Sequence, residues 1–241
     1  KMDVYMDDVL HSAASLIRSY IQTGNIFALV GPSGAGKTVL VEKVIDQYQG
    51  NRVVRPCTDR GKMTILHIYT AIMDDLSGAV FFGSLERRAR AVRDILLSLK
   101  QDAVLILDDA HLLPSETIQS LHALHGICGA FSSPLSIALI GQSQLLRRMD
   151  TEIPLREVYD RAQILHTPPV NIRAYIAHKI TQAGGDIGDV FTSDGLSHIA
   201  RPGAAIPLEI ERATRNAMEA ASDVGEKVST PVIRHIQKEA A

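Results

Sequence analysis

Residues Gly31-Pro32-Ser33-Gly34-Ala35-Gly36-Lys37-Thr38 constrain this chain more than any other stretch. Glycine carries no Cβ, so a loop this rich in it can turn several backbone N–H groups toward one point. The apolar run at 26–30, Ile-Phe-Ala-Leu-Val, reads as a short buried strand. Residues 39–45 read as the first turns of a helix. A strand feeding a glycine loop feeding a helix is the setting of the phosphate-binding loop of nucleoside triphosphatases, G-x-x-x-x-G-K-[ST]. In that setting Gly31, Pro32, Ser33, Gly34, Ala35, Gly36, Lys37, Thr38 and Val39 would wrap the phosphates. The helix N-terminus would add its positive dipole end. Lys37 would reach the β- and γ-phosphates, and the Thr38 hydroxyl would hold Mg²⁺.

A second element fits the first. Residues 103–107, Ala-Val-Leu-Ile-Leu, run into Asp108 and Asp109. An unbroken apolar run suits a central parallel strand buried on both faces. Its C-terminal carboxylates would lie beside the phosphate loop, where open α/β sheets bind ligands. Asp108 would then hold Mg²⁺ through water, as a Walker B acid, and Asp109 would orient or deprotonate the attacking water. A strand ending in a solvated Asp-Asp turn is the alternative, which the preceding loop disfavours.

The rest of the chain alternates in the same manner. Helical periodicity covers 8–22, with Gly24 as a cap. A helix follows the glycine loop to about 48. A second strand is expected at 52–56, helices at 64–76 and 84–100, a helix at 115–127, a strand at 135–140 and a fifth strand at 162–166. Alternation of this kind predicts an α/β fold, a parallel five-stranded sheet sandwiched by helices. Thr167-Pro168-Pro169 interrupts it. Helices are expected at 171–183, 193–201, 207–221 and 230–240. The reading is thus a P-loop core over 1–168 and a small all-helical lid over 169–241.

Composition narrows the functional classes. The chain has 241 residues, 46% of them hydrophobic, which is ample for a core. No apolar run reaches the length of a membrane span. The mixed, acidic start at Lys1-Met2-Asp3 does not read as a signal peptide. Two cysteines, Cys57 and Cys128, give no disulfide framework and fit a reducing, cytoplasmic setting. The net charge of −2 excludes a general basic field, so any nucleic-acid contact must be a local patch.

The order of parts resembles the AAA+ ATPases, within them the branch that holds the phage Mu B transposition protein, TnsC-type transposition regulators and ExeA-type secretion ATPases. The resembling segments are Leu105-Ile106-Leu107-Asp108-Asp109-Ala110-His111-Leu112-Leu113, Ala138-Leu139-Ile140-Gly141-Gln142 and Tyr175-Ile176-Ala177-His178-Lys179. Ala183-Gly184-Gly185, Val190-Phe191-Thr192 and Arg201-Pro202-Gly203-Ala204 add to them. The resemblance implies ATP with Mg²⁺ as cofactors. It puts Gln142 at the sensor 1 position, against the γ-phosphate or the lytic water. It puts Arg161 where a trans-acting arginine finger is expected, with Arg156 as the competing candidate.

Two departures stand out. The family usually has Asp-Glu where this chain has Asp108-Asp109. Aspartate is one methylene shorter, and a misplacement near 1 Å can cost ~10²-fold, so slow hydrolysis is expected. Many relatives also carry a sensor 2 arginine in the lid where this chain has Leu208. Arg201 and Arg212 are candidates to replace it.

The resemblance also implies a homo-oligomer, a ring or a helical filament, assembled on duplex DNA. The loop after the second strand, Arg55-Pro56-Cys57-Thr58-Asp59-Arg60-Gly61-Lys62, would grip it. Arg55, Arg60 and Lys62 would neutralise phosphates without reading sequence. A solvated polar loop is the alternative reading of the same residues. The basic run Arg87-Arg88-Ala89-Arg90-Ala91-Val92-Arg93 reads rather as an exposed helix face or a subunit contact, and Arg147-Arg148 is similar. His122, His125 and Cys128 fall at three-residue steps that drift around a helix, without a fourth ligand, and do not read as a metal site. His111 reads as a packing or capping residue. The functional expectation is an ATPase whose nucleotide state controls self-assembly and DNA binding, a transposition regulator that stimulates a transposase. A secretion-type ATPase and a nucleotide-dependent scaffold with little turnover are the alternatives.

Overall fold

The structure, a computed structural model, describes residues 4–47, 52–78, 82–99, 102–126, 135–200 and 205–239. Cys128 and the segment 201–204, with Arg201, lie outside the described residues.

In chain order the first half contains α1 (Asp8–Gln22), β1 (Ile26–Val30), α2 (Lys37–Gln47), β2 (Arg52–Val54), α3 (Ile65–Ser77), α4 (Leu85–Ser98), β3 (Ala103–Leu107) and α5 (Ser115–Gly126). Then come β4 (Leu135–Gly141), α6 (Ser143–Thr151), α7 (Arg156–Arg161) and β5 (Gln163–His166). The helices α8 (Ile172–Gln182), α9 (Ile187–Val190), α10 (Ser193–Ile199), α11 (Pro207–Val224) and α12 (Thr230–Glu239) follow. Short 3-10 turns lie at Arg60–Lys62, Ala110–Leu112 and Ile153–Leu155.

The five strands form one parallel sheet in the order β2-β3-β4-β1-β5. Every residue of β1, β3 and β4 is buried, as expected of central strands covered on both faces. The edge strands β2 and β5 are partly exposed. Strand β2 is shorter than its apolar pattern predicts. Pro56 has no N–H to donate to a ladder. The N–H of Arg55 turns instead to the Asp75 carboxylate, at 3.1 Å. The sequence patterns also missed α6, α7, α9 and the three 3-10 turns, all of them short.

Local chemistry accounts for the helix boundaries. Thr64 and His67 form a capping box at the start of α3, which ends on Gly78 at φ 67°. Ser84 caps α4 and Asn171 caps α8 through side-chain acceptance of the Arg87 and Ala174 N–H groups. Pro207 opens α11, where its missing N–H costs nothing, and Gly225 closes it. Asp7 caps α1 by accepting from Leu10 N at 2.9 Å.

The chain divides into two compact units. The larger comprises Ser12–Pro32 and Lys37–Thr167 and holds the sheet. Its core runs from Met63, Ile68, Ile72 and Met73 on the α3 side through Leu105 and Leu107 to Leu139 and Leu145. The buried Ser136 hydroxyl donates to Ile21 O at 2.7 Å, tying α1 to β4. The smaller unit comprises Lys1–His11, Ser33–Gly36 and Pro168–Ala241. In it Glu211 of α11 accepts from the Tyr175 hydroxyl at 2.6 Å and pairs with Lys179 at 2.9 Å, both on α8. Tyr5 meets the Tyr175 ring edge-on, with centroids 5.4 Å apart. Leu208 N donates to Gly34 O at 3.3 Å.

Candidate functional site

Parallel strands end on one edge, and the order β3-β4-β1 sets three of these ends side by side. Gly31 continues β1 and donates its N–H to Gly141 O, the last residue of β4, at 3.2 Å. Asp108 and Asp109 leave β3, and Gln142 leaves β4. The sheet therefore gathers residues that the sequence spreads over more than a hundred positions.

Gly34 and Gly36 lie at φ 75° and 80°, conformations that L side chains rarely adopt. Lys37 opens α2 and is buried. Its Nζ donates to Gly31 O at 3.0 Å and to Pro32 O at 2.8 Å, so the amine lies against the loop's own carbonyls. Burial pulls its pKa down, while the charges of Asp108 and Asp109 act in the opposite direction. Thr38 is exposed, and its hydroxyl donates to Asp108 Oδ2 at 2.7 Å. The other carboxylate oxygen of Asp108 accepts from Asp109 N at 2.9 Å.

Asp109 is exposed and left-handed, at φ 51° and ψ 38°, the positive-φ residue other than glycine among the described residues. The turn that follows is held by Arg148. Its guanidinium donates to His111 O at 2.7 Å, Leu113 O at 2.9 Å and Ser115 Oγ at 2.8 Å. Glu152 accepts from Arg148 Nε at 2.9 Å and from the Ser115 hydroxyl. Hydrogen bonds from Arg148 and Ser115 hold the Glu152 carboxyl below its ordinary pKa. His111 is buried, with its ring Nδ1 unpartnered.

Gln142 is exposed at the N-cap of α6. Arg161 is exposed at the end of α7, and Arg156 at its start. His122 of α5 lies 3.4 Å from Glu157. Burial depresses the His122 pKa, the nearby Arg161 charge adds to this, and Glu157 opposes both. His125 contacts Gly24 O at 2.5 Å. No group of three or more metal-ligating side chains occurs among the described residues.

The loop after β2 is more structured than its polar sequence suggests. The Arg55 guanidinium pairs with Glu42 of α2. Asp59 accepts from Gly61 N at 3.1 Å and caps the 3-10 turn. Arg60 sends Nε to Asp108 O at 2.6 Å and Nη1 to Pro56 O at 3.0 Å and Thr58 O at 3.1 Å. Lys62 is exposed on the same turn. Sequence reasoning missed the grip of Arg148. The i,i+4 spacing of Arg148 and Glu152 was visible, but no pattern announces that a guanidinium holds backbone carbonyls.

The donors suit a nucleoside triphosphate with a hard divalent ion. Within the larger unit the buried Lys37 is followed by a hydroxyl bonded to a carboxylate, a cation for phosphate and oxygen ligands for the ion. A family model described as AAA domain matches residues 19–149, more than half of the chain. The chain belongs to the AAA domain family. The matched span of this AAA domain holds the phosphate loop, Asp108, Asp109 and Gln142, and stops before Arg156 and Arg161. Comparison with curated protein sequences gave no match.

Solved structures agree in fold. Cdc6p from Pyrobaculum aerophilum is similar at 18% identity, over 99% of this chain and 69% of that one, with a TM-score of 0.66. The Aeropyrum pernix ORC1 protein, solved in complex with DNA, gives 17% identity, 99% and 66% coverage, and a TM-score of 0.63. The Thermotoga maritima RuvB Holliday junction branch migration motor gives 18%, 97%, 69% and 0.54. At such identities the likeness is one of fold. The AAA domain is a parallel five-stranded sheet with flanking helices, followed by a helical C-terminal region.

Proposed function

We propose that this AAA domain is a slow ATPase whose nucleotide state controls self-assembly on duplex DNA. The observation that carries the proposal is the 2.7 Å bond between Thr38 and Asp108, beside the buried Lys37. A hydroxyl and a carboxylate this close can ligate one Mg²⁺, and Lys37 can neutralise phosphate. When bound, Mg²⁺ would neutralise charge on the β- and γ-oxygens. The protein's own residues do the rest. Backbone N–H groups of the glycine loop would hold the phosphates, Asp109 would orient or deprotonate the attacking water, and Gln142 would contact the γ-phosphate or the lytic water. Arg161 of a neighbouring copy would complete the site, with Arg156 as the competing candidate.

The DNA contact is proposed for the loop carrying Arg55, Arg60 and Lys62. In support, Lys62 is exposed, and the loop is fixed to the Asp108 turn and to α2. A few phosphate contacts per subunit suffice when many subunits line one duplex. Among the fold neighbours, Aeropyrum pernix ORC1 and Drosophila ORC were solved with DNA, and RuvB is named a Holliday junction branch migration motor. The finer reading is a cytoplasmic transposition regulator of the Mu B and TnsC type that stimulates a transposase, with a core at 1–168 and a lid at 169–241. Among the described residues no helix is long and apolar enough to cross a membrane.

Duplex DNA binding, measured without nucleotide, with ADP and with a slowly hydrolysed ATP analogue at two salt concentrations, tests the proposal. Binding only with the analogue, weakening steeply with salt, is expected. No binding in any state, with nucleotide binding intact, would overturn the DNA reading and leave the secretion-type or scaffold alternatives.

A further inference from the structure

Asp109 carries its side chain on a left-handed backbone, φ 51° and ψ 38°. Aspartate tolerates this conformation better than most residues with a Cβ, but it is held as a single turn residue only where neighbouring groups fix the backbone. The surroundings here are two guanidinium groups. On the near side, Arg60 Nε grips the carbonyl of Asp108 at 2.6 Å. On the far side, Arg148 grips the carbonyls of His111 and Leu113. Between them Asp109 O accepts from Leu112 N at 2.9 Å, and the Asp108 carboxylate takes the Asp109 N–H.

The two arginines differ in where they come from. Arg148 is in α6, which packs against the Ala110–Leu112 turn. Arg60 is in the loop after β2, and the same guanidinium also closes that loop by donating to Pro56 O and Thr58 O. The loop is pinned at its far end as well. Met63 is fully buried, and its carbonyl accepts from the buried Thr117 hydroxyl at 2.7 Å. A guanidinium presents its donors in a rigid planar fork, so one side chain can fix three carbonyls at once.

We infer that Arg60 is a positioning residue for hydrolysis: it fixes the backbone on which Asp109 is carried and ties the loop after β2 to that turn. A displacement of the loop would shift the Asp108 carbonyl and, with it, the Asp109 carboxylate. The inference rests on the ATPase reading above and changes the part assigned to Arg60, whose donors face carbonyls of its own chain. Loop and hydrolytic acid are thereby joined through one guanidinium, so a contact made on the loop would be felt at Asp109.

The test compares wild type with Arg60→Ala and Arg60→Lys. Three quantities are read: basal turnover without DNA, affinity for a slowly hydrolysed ATP analogue, and amide hydrogen exchange over residues 108–113. Arg60→Ala is expected to lower kcat by about 10- to 100-fold, since a shift near 1 Å costs on that order. Analogue affinity should stay within about twofold of wild type, because Lys37 and the glycine loop are untouched, while exchange over 108–113 rises. Arg60→Lys, which keeps the cation but not the fork, should fall between the two. It also carries the test if the alanine variant does not fold. Unchanged kcat and unchanged exchange in a folded variant would overturn the inference, as would equal losses of kcat and analogue affinity. Absence of turnover in wild type would instead sink the ATPase reading, and the exchange measurement would then decide the positioning role alone.

Discussion

The Thr38 hydroxyl donates to Asp108 Oδ2 at 2.7 Å, joining two residues 70 positions apart. Thr38 stands at the start of α2 and Asp108 at the end of β3. Strand β3 is not the neighbour of β1, since β4 lies between them. The bond therefore joins segments that follow two strands which are not neighbours in the sheet.

Removing that hydroxyl tests the cation site. Thr38→Val keeps the shape and loses the oxygen. Hydrogen bonds to charged groups are worth ~1.5–3 kcal/mol, so Mg²⁺-dependent ATP affinity should fall about tenfold or more. Titration calorimetry with and without Mg²⁺ checks this. An equal loss in both conditions would show that Thr38 serves the loop rather than the ion.

Asp109→Asn should separate binding from hydrolysis. Asparagine tolerates the left-handed backbone, so the turn survives. Loss of the base is expected to lower kcat by ~10²–10⁴-fold, with nucleotide affinity nearly unchanged. Single-turnover hydrolysis beside equilibrium binding makes the comparison. Unaltered turnover would remove Asp109 from the chemistry and favour a scaffold.

The two positive-φ glycines should respond unequally to alanine. At Gly36, with φ 80°, an added Cβ meets nothing within 4 Å, so only backbone strain of ~1–2 kcal/mol is expected. At Gly34, with φ 75°, it would come within 2.4 Å of the Leu208 Cβ. Gly34→Ala should lower thermal stability more than Gly36→Ala, as read by calorimetric unfolding. The opposite order would show that Leu208 yields easily.

Acid stability should depend on Glu152. Its folded pKa is depressed by hydrogen bonds from Arg148 and Ser115, so the unfolded state takes up its proton first as pH falls. The contribution is full above the ordinary value of 4.5 and is lost as pH drops through the lowered folded value. Glu152→Gln should be less stable than wild type near neutral pH, and the difference should shrink below that range. Melting temperatures at stepped pH check it, and a constant difference would contradict the assignment.

Trans completion of the site predicts complementation. Lys37→Ala and Arg161→Ala should each be inactive alone, the second through loss of a contribution worth ~10³–10⁵-fold. Mixing them would pair an intact phosphate loop with an intact Arg161 across some interfaces, and turnover should reappear. If Arg156→Ala complements Lys37→Ala and Arg161→Ala retains activity by itself, the finger is Arg156.

Much of the fold was legible because its signals are local. The all-apolar runs of β1, β3 and β4 and the glycines around Lys37 are contiguous in sequence and act within a few residues. Short elements were less legible. Four to nine residues, as in α9, α7 and α6, hold too few turns for a period to show.

By itself the sequence determined that a glycine-rich turn over residues 31–36 joins a buried strand to a helix, because glycine freedom and an apolar strand are properties of the chain segment alone. Tertiary structure decided the strand order, the closeness of Thr38 to Asp108, and the grip of Arg60 and Arg148 on the carbonyls around Asp109. Backbone carbonyls occur at every residue and carry no sequence signature. Which of them a guanidinium finds depends on how distant segments pack, and that is settled only when the sheet is assembled.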